Sequence, residues 1–580
     1  MNVASPFLFF EFTGQDGKKN PMCFQNPKEI IVVDSIDEIV PALIKVQNAV
    51  NSGYYAAGYL SYEAAPAFDQ AYSVKSGNKM PLLWFGVFQE PEMIDNIPSD
   101  GGYSVSNWES ATTFDHYQSE ISKIKEKIGE GATYQVNYTM RLHSQFEGDD
   151  LSFYKQLSRA QSSNYSAYLN IGTYRILSAS PELFFCWDGK EIVTRPMKGT
   201  TKRGLLWEED EQNAKWLFES EKNRAENVMI VDLLRNDLGN IAETGSVEVS
   251  QLFEIEKYPT VLQMTSTIKA LTRPEIQLKD IFSALFPCGS ITGAPKVSTM
   301  QIISDIEDSP REVYCGAIGF MSPKGEAVFN VPIRTVVINM NTNEAEYGVG
   351  GGITWDSTTK SEYNEMVTKA ELLTNQLPEF DLIESLKLEN GHYYLFDRHI
   401  NRLQKSAVYF CFPLSVEDIN NALNEFAESH NKGIYKVRLL VSQNGKVSVE
   451  GQMITSLTEP KHVALADAPI SKDNPFLYHK TTHRRVYDQC RLNYSNVFDV
   501  LLWNKEGELT EFTIGNVVLE LDGELWTPPC KSGLLAGTFR DELLSSGKIR
   551  ERVLKIDDLK ACSSIWLINS VRGWVQVKLI

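Results

Sequence analysis

The sequence predicts two successive domains of mixed α/β (α+β) class, on three observations. The chain has 580 residues, more than one hydrophobic core of ordinary size organises. Strand-like apolar runs and amphipathic helical segments are mixed in both halves. A helical pattern over Lys360–Gln376 then meets Pro378, which cannot continue it. The expected domains are therefore 1–377 and 378–580, joined with almost no linker.

Taken in order, Met1 to Pro6 has no basic segment ahead of its Phe-rich stretch, so no signal peptide is expected. Ala56 to Tyr62 and Tyr134 to Tyr138 read as strands, and Phe114 to Ile128 as an amphipathic helix. In Lys360–Gln376, Met366, Ala370, Leu372 and Leu373 alternate with charges at helical spacing. Beyond Pro378, Phe380 to Lys387 alternates like a strand. Asn390-Gly391 makes a hairpin turn, and His392 to Phe396 is expected to return as a second strand.

The chain has 56 Lys and Arg against 75 Asp and Glu, a net charge of −19, which argues against a general nucleic-acid surface. No apolar run reaches the ~18 residues of a membrane span. Eight cysteines are scattered without a CxxC pair, the pattern of reduced thiols in a cytoplasmic protein. His479 and His483 are i,i+4 but lack an acidic or cysteine partner, and are read as non-metal.

Several segments carry candidate chemistry. Arg195-Pro196-Met197-Lys198-Gly199-Thr200 follows Ser180-Pro181-Glu182 closely. A pocketed lysine attacks carbon as a neutral amine when burial or a nearby cation lowers its pKa; the alternative is a surface lysine in a turn. Glu362 and Glu365 share a helix face, and with Glu226 they suit Mg²⁺, which takes its remaining ligands from water and an anionic substrate; a solvated helix face is the alternative. Gly350-Gly351-Gly352 precedes that helix by a short loop, and its glycines permit close backbone approach and expose N–H groups to an anion; a flexible turn is the alternative. Gly289-Ser290-Ile291-Thr292-Gly293 reads as a small-residue loop opening a helix. Arg334, read as lying in a β-branched strand, needs a partner, and a carboxylate would pair bidentately.

Tyr134-Gln135-Val136-Asn137, Ser180-Pro181-Glu182, Met197-Lys198-Gly199-Thr200, Ala225-Glu226 with Arg235-Asn236-Asp237, Gly293-Ala294-Pro295-Lys296 and Gly350-Gly351-Gly352-Ile353 occur in this order. As a set they resemble the chorismate-utilising enzymes, over most of 110–375. The aminodeoxychorismate synthase branch is the more similar one, because the anthranilate synthase branch typically has alanine at the position of Lys198. The resemblance implies a large sandwich of antiparallel sheets with outer helices. It implies Lys198 as a covalent nucleophile and Glu182 as the acid that protonates the leaving hydroxyl. Ser290, Tyr314, Arg334 and Gly350 to Gly352 would bind chorismate; Glu226, Glu362 and Glu365 would hold Mg²⁺. No glutaminase motif is present, so a separate glutamine amidotransferase subunit, or free ammonia, is implied.

In the second domain, Lys480 is followed by Glu511 and by Ser532-Gly533-Leu534-Leu535-Ala536-Gly537-Thr538. A lysine, a later acid and a small-residue loop before a helix are what pyridoxal phosphate requires. With Phe396-Asp397-Arg398-His399-Ile400-Asn401-Arg402-Leu403, the set resembles the class IV (branched-chain aminotransferase-like, fold-type IV) pyridoxal phosphate enzymes, and among them the aminodeoxychorismate lyases. That resemblance implies Lys480 as the lysine carrying pyridoxal phosphate and Glu511 as partner of its ring nitrogen. Arg402, Gly537 and Thr538 would contact the phosphate, and two copies would pair through this domain. The segment departs from the family by lacking its usual opening strand. Together the resemblances imply amination of chorismate followed by elimination of pyruvate to give 4-aminobenzoate for folate. The alternatives are an anthranilate-type first domain, or a second domain that is a structural module or a transaminase.

Overall fold

The computed structural model describes residues 6–14, 17–94, 97, 99, 101–374, 378–455, 460–494 and 496–580. The N-terminal residues 1–5 and the end of the Lys360–Gln376 reading, together with Leu377 at the expected boundary, lie outside them. The chain divides into two compact units, Met1–Lys202 with Ala214–Leu377, and Arg203–Asn213 with Pro378–Ile580. The eleven-residue excursion Arg203–Asn213 is a departure from the expected 1–377 block. It belongs with the second unit, where the Arg203 guanidinium donates to both carboxylate oxygens of Asp210 at 2.7 and 2.8 Å and to the Tyr409 carbonyl at 2.9 Å.

The first unit contains two large sheets whose described pairings are all antiparallel. Period-two alternation explains the layering. In the strand Phe7–Thr13, Phe7 and Phe9 face a core under the helices Phe114–Gly129 and Asp150–Gln161. Leu8, Phe10 and Phe12 face the opposite way, into a core shared with Tyr59, Trp84 and Phe320 of the other sheet. Phe10 meets Phe320 edge-on at 5.4 Å. The other sheet's far face packs on Ile36–Asn51, Glu221–Gly239 and Leu278–Leu285. The result is the antiparallel sandwich with outer helices.

The second unit has two parts. A four-stranded antiparallel sheet, including Leu382–Glu389, Ile434–Val441 and Val447–Met453, carries the helices Phe396–Phe410 and Val416–Ser429. An eight-stranded mixed sheet forms the rest, with parallel pairing where Lys461–Leu465 meets its two neighbours. Asn390 and Gly391 both adopt positive φ, 51° and 82°, as a two-residue hairpin turn requires. The expected return strand shortens to His392–Tyr393. Leu395 then turns left-handed at φ 55°, and the apolar positions from Phe396 onward follow helical spacing. No described helix is long and apolar enough to cross a membrane.

Candidate functional site

The first unit encloses a cavity of about 480 Å³, and Glu182, Lys198, Glu226, Ser290, Tyr314, Arg334, Gly350 to Gly352, Glu362 and Glu365 all line it. Lys198 reaches it from a bulge. Met197 pairs with Thr265 and Thr200 with Gln263, leaving one extra residue on the Met197–Lys202 strand. Gly199 takes φ +89° there, and such a bulge re-aims the neighbouring side chain. Lys198 Nζ donates to the Ser290 carbonyl at 2.8 Å. Burial lowers its pKa below the usual lysine range, against the pull of Glu226 and Glu182. Glu182 is 3% exposed. Burial raises its carboxyl to about 7, while a hydrogen bond from the Ser290 side chain and the charge of Lys198 act the other way. Its Oε1 has no hydrogen-bond partner, which leaves that oxygen for a bound molecule.

The structure decides two local readings. Gly350, Gly351 and Gly352 are not a flexible turn. They lie in the strand Glu344–Ile353, opposite Thr139, Tyr138 and Asn137. Their value is close approach: a Cβ on Gly352 would stand 2.1 Å from Gln135 Nε2 and 3.3 Å from Lys198 Nζ. Arg334 is not in a strand either. It precedes Thr335–Asn339 with φ 55°, and its guanidinium donates to the Lys369 carbonyl at 2.9 Å rather than pairing with a carboxylate. Tyr314 packs flat over Gly348, where a Cβ would meet its ring at 2.4 Å, and stacks with Arg141 at 4.9 Å.

Glu226 comes from the helix Glu221–Gly239, and Glu362 and Glu365 from Thr359–Ala370. Burial raises the carboxyls of Glu226 and Glu362. Glu365 is held low by Lys369, at 2.7 Å. Among the described residues, no three His, Cys, Asp or Glu side chains close into a set that encloses an ion. The donors nonetheless fit Mg²⁺, which needs only one or two carboxylates and takes water and substrate oxygens for the rest.

The second unit holds a cavity of about 680 Å³ lined by Arg402, Lys480, Glu511, Gly537 and Thr538. Burial, and then the charge of Arg402, lower the Lys480 amine to about 8. Its carbonyl accepts from the Ile383 N–H at 3.1 Å, which pins the segment. Glu511, 3% exposed, is raised to about 7 by burial, opposed by donors from Tyr487 at 2.7 Å and the Leu535 N–H at 3.1 Å. Gly537 precedes the helix Thr538–Ser545, and a Cβ there would lie 2.0 Å from Asn516 Oδ1. The glycine thus keeps a cradle open at a helix N-terminus, beside Arg402. A buried lysine, a buried carboxyl and an anion cradle around one cavity fit pyridoxal phosphate.

Behind that cradle lies Glu384, 1% exposed. It accepts from Arg402 Nε at 2.9 Å and from its second terminal nitrogen at 2.6 Å. His399 Nδ1 lies 2.7 Å away and His399 Nε2 3.2 Å from Thr538 Oγ1. Burial lowers the His399 pKa against the pull of Glu384; in the neutral ring, Nδ1 donates to the carboxylate and Nε2 accepts from Thr538. Burial alone would raise Glu384, but Arg402 and His399 outweigh it and take the carboxyl from 4.5 to about 2. A depressed folded-state pKa stabilises the protein above the unfolded value and is lost as pH falls through the folded one. Glu384→Gln is therefore expected to cost about 3 kcal/mol at neutral pH and to flatten the loss of stability between the two values. Hydrogen exchange in Phe396–Phe410 across that window measures both effects; an unchanged pH slope would contradict the assignment.

Several neighbours were given no role of their own in the sequence. Lys369 was findable, since it stands four residues after Glu365 on one helix face, and it also donates to the Gly350 carbonyl at 2.8 Å. Gln135 is fully buried with both amide atoms unpartnered. Glu384 and Tyr487 carry no local pattern and meet their partners only through the fold.

Residues 93–375 match the chorismate binding enzyme family, and residues 381–580 the class IV amino-transferase family. Aminodeoxychorismate synthase component 1 of Escherichia coli (strain K12) is 40% identical over 281 residues, covering 48% of this chain and 61% of the relative. The chain thus spans about three fifths of that relative's length. Anthranilate synthase component 1 of Methanothermobacter marburgensis is 32% identical over 359 residues, covering 56% of this chain and 76% of the relative. Anthranilate synthase component I from Streptococcus pneumoniae TIGR4 shares the fold, with a TM-score of 0.55 at 24% identity over 65% of this chain and 93% of that one.

Proposed function

Since the chain belongs to the chorismate-binding enzymes and continues into a class IV aminotransferase-like domain, we propose that it converts chorismate to 4-aminobenzoate in two steps. The first unit aminates chorismate at C4; the second eliminates pyruvate. The observation that carries the reading is the Lys198 amine in the first cavity, on the Ser290 carbonyl and within the field of Glu182. An ammonia-only site would need no amine there.

Desolvation leaves part of Lys198 neutral and nucleophilic. Its nitrogen attacks ring C2, the ring double bonds shift, and the 4-hydroxyl leaves. Glu182, protonated below about 7, gives that hydroxyl its proton and departs from the step as carboxylate. Ammonia then adds at C4, the double bonds shift back, and Lys198 is released. Arg334, Ser290 and the Gly350 to Gly352 backbone orient the substrate. Glu226, Glu362 and Glu365 would hold Mg²⁺, which supplies Lewis-acid charge at the substrate carboxylate. Glu182→Gln is expected to lower amination by about 10²- to 10⁴-fold. The wild-type rate should also fall as pH rises through about 7, and a kcat profile with the same alkaline limb in the variant would assign that limb elsewhere.

In the second unit Arg402, Gly537 and Thr538 would hold the phosphate of pyridoxal phosphate, and Glu511 its ring nitrogen. That cofactor supplies an electron sink conjugated with the substrate amine. Lys480 removes the proton from C4, the C3–oxygen bond breaks, pyruvate leaves as its enol and the ring becomes aromatic. One chain then presents both sites at high effective concentration. A separate glutamine amidotransferase subunit or free ammonium supplies nitrogen, two copies pair through the second unit, and the enzyme works in the cytoplasm.

Product identity tests the reading. Purified protein is incubated with chorismate, Mg²⁺, pyridoxal phosphate and an ammonium salt, and the products are separated. 4-Aminobenzoate with equimolar pyruvate is expected. Aminodeoxychorismate alone would remove the lyase step, amino-group exchange with 2-oxoglutarate would make the second unit a transaminase, and anthranilate would overturn the reading of Lys198.

A further inference from the structure

The stretch Arg203–Asn213 belongs to the second unit, yet none of its residues lines that unit's cavity. Buried charge fastens it in place. The Arg203 and Asp210 side chains are 5% and 0% exposed. Asp210 Oδ1 also accepts from the Gly204 N–H at 3.1 Å. A Cβ on Gly204 would stand 2.3 Å from the Asp210 backbone nitrogen, so the turn needs that glycine. Glu208 accepts from Lys405 at 2.8 Å, and the same amine lies 4.5 Å from the Trp207 ring centroid. A buried ion pair tolerates the loss of neither partner, so the stretch is a fixed part of the unit.

Two lines of contact run from it to the site. The first begins at Arg203, whose guanidinium lies 4.3 Å from the Tyr409 ring centroid and donates to the Tyr409 carbonyl at 2.9 Å. The Tyr409 ring stacks on the His479 imidazole at 4.1 Å, with 29° between the planes. His479 is buried, and its Nδ1 lies 3.0 Å from Ser406 Oγ. Burial takes its pKa down to about 3, and the charge of Arg203 pushes the same way against Asp210 and Glu208. The ring therefore packs as a neutral aromatic. Lys480 comes next. Its own carbonyl is held by the Ile383 N–H, so the stacked His479 fixes the backbone on the other side of the lysine. The second line begins at Leu205 and Leu206. They pack against the apolar cluster that contains Leu477, Tyr487, Val500 and Leu502. From that cluster the Tyr487 hydroxyl donates to Glu511 at 2.7 Å.

We propose that Arg203–Asn213 is a positioning element of the second site, holding Lys480 through Tyr409 and His479, and Glu511 through Tyr487. The proposal rests on the reading that Lys480 and Glu511 serve pyridoxal phosphate. That chemistry asks for such support. The Lys480 amine has two posts, one on the cofactor and one at the substrate's C4 proton, and it must move between them on a backbone that stays still. Glu511 must keep its carboxylate plane, which a donor on a packed aromatic ring fixes. A displacement of about 1 Å at either group costs on the order of 10²-fold in rate.

The test uses the full-length holoenzyme. Arg203→Met combined with Asp210→Leu removes both charges together, so no buried charge is left unpaired. In this variant kcat for pyruvate release per bound cofactor is expected to fall about 30-fold, KM to change by less than about threefold, and the cofactor's visible ellipticity per unit absorbance to fall to about half. Arg203→Lys keeps the charge without the planar fork and should lie between. Leu205→Ala combined with Leu206→Ala should match Tyr487→Phe, each lowering kcat per bound cofactor about tenfold by loosening one donor on Glu511. A stretch with a merely structural role would lower the share of chains that carry cofactor and leave kcat and ellipticity per bound cofactor at wild-type values. That result in all the Arg203–Asn213 variants would overturn the proposal. In an enzyme that shows the visible band but releases no pyruvate, the ellipticity alone decides the proposal and the lyase reading falls. A wild type without the band would remove the cofactor reading and this proposal with it.

Discussion

Replacing Lys198 with alanine is expected to lower amination of chorismate at C4 by about 10³-fold or more under its proposed role as covalent nucleophile. The substitution is a sharp one because the fold around it is independent of the side chain. The bulge is set by Gly199 and the strand pairing, and the Ser290 carbonyl loses only one donor. Melting temperature should change little. The informative readout is which isomer forms. Attack of ammonia at C2 in the space vacated by the amine would yield the ortho product, anthranilate, in place of the para one. C4 amination surviving above a tenth of the wild-type rate would make Lys198 a bystander.

Lys480→Ala is expected to abolish the visible absorbance of the bound cofactor and to lower pyruvate release by about 10³-fold or more. Amination in the first unit should be untouched, so aminodeoxychorismate accumulates. Arg402 stays tied to Glu384 in the variant, and the phosphate cradle with it. Free pyridoxal phosphate should therefore still bind, without its covalent link. A small amine added to the buffer can then take over part of the proton transfer. Pyruvate release undiminished by the substitution would assign the chemistry to another group.

How much of this was legible depended on whether the signal was local. The hairpin turn at Asn390-Gly391 was readable because two adjacent residues must both take positive φ. Lys198 was readable as a candidate from the Met-Lys-Gly-Thr run, and the structure supplies the reason in the Gly199 bulge. At the triple glycine the sequence left close approach and a flexible turn both open, because flexibility and close packing leave the same residue type in the sequence. Only the Gln135 side chain, more than two hundred residues away, decides between them at Gly352. Glu384 was invisible for the same reason: its meaning comes from Arg402 and His399 on the next helix and Thr538 at the start of a helix far along the chain. The return strand after the turn stops at Tyr393 instead of reaching Phe396, because the helix Phe396–Phe410 begins there.

The excursion Arg203–Asn213 has an implication for how the two proposed activities could ever be separated. The chain leaves the first unit just after the strand that carries Lys198 and rejoins it just before the helix that carries Glu226. A gene cut at the obvious boundary would therefore yield two polypeptides of unequal integrity. The N-terminal product would keep a stretch evolved to be covered elsewhere, with the Arg203–Asp210 pair stripped of Tyr409, and the C-terminal product would lack a piece it needs. Fission of this fusion thus demands repair at two places at once, which makes the joined arrangement hard to reverse by a single genetic event.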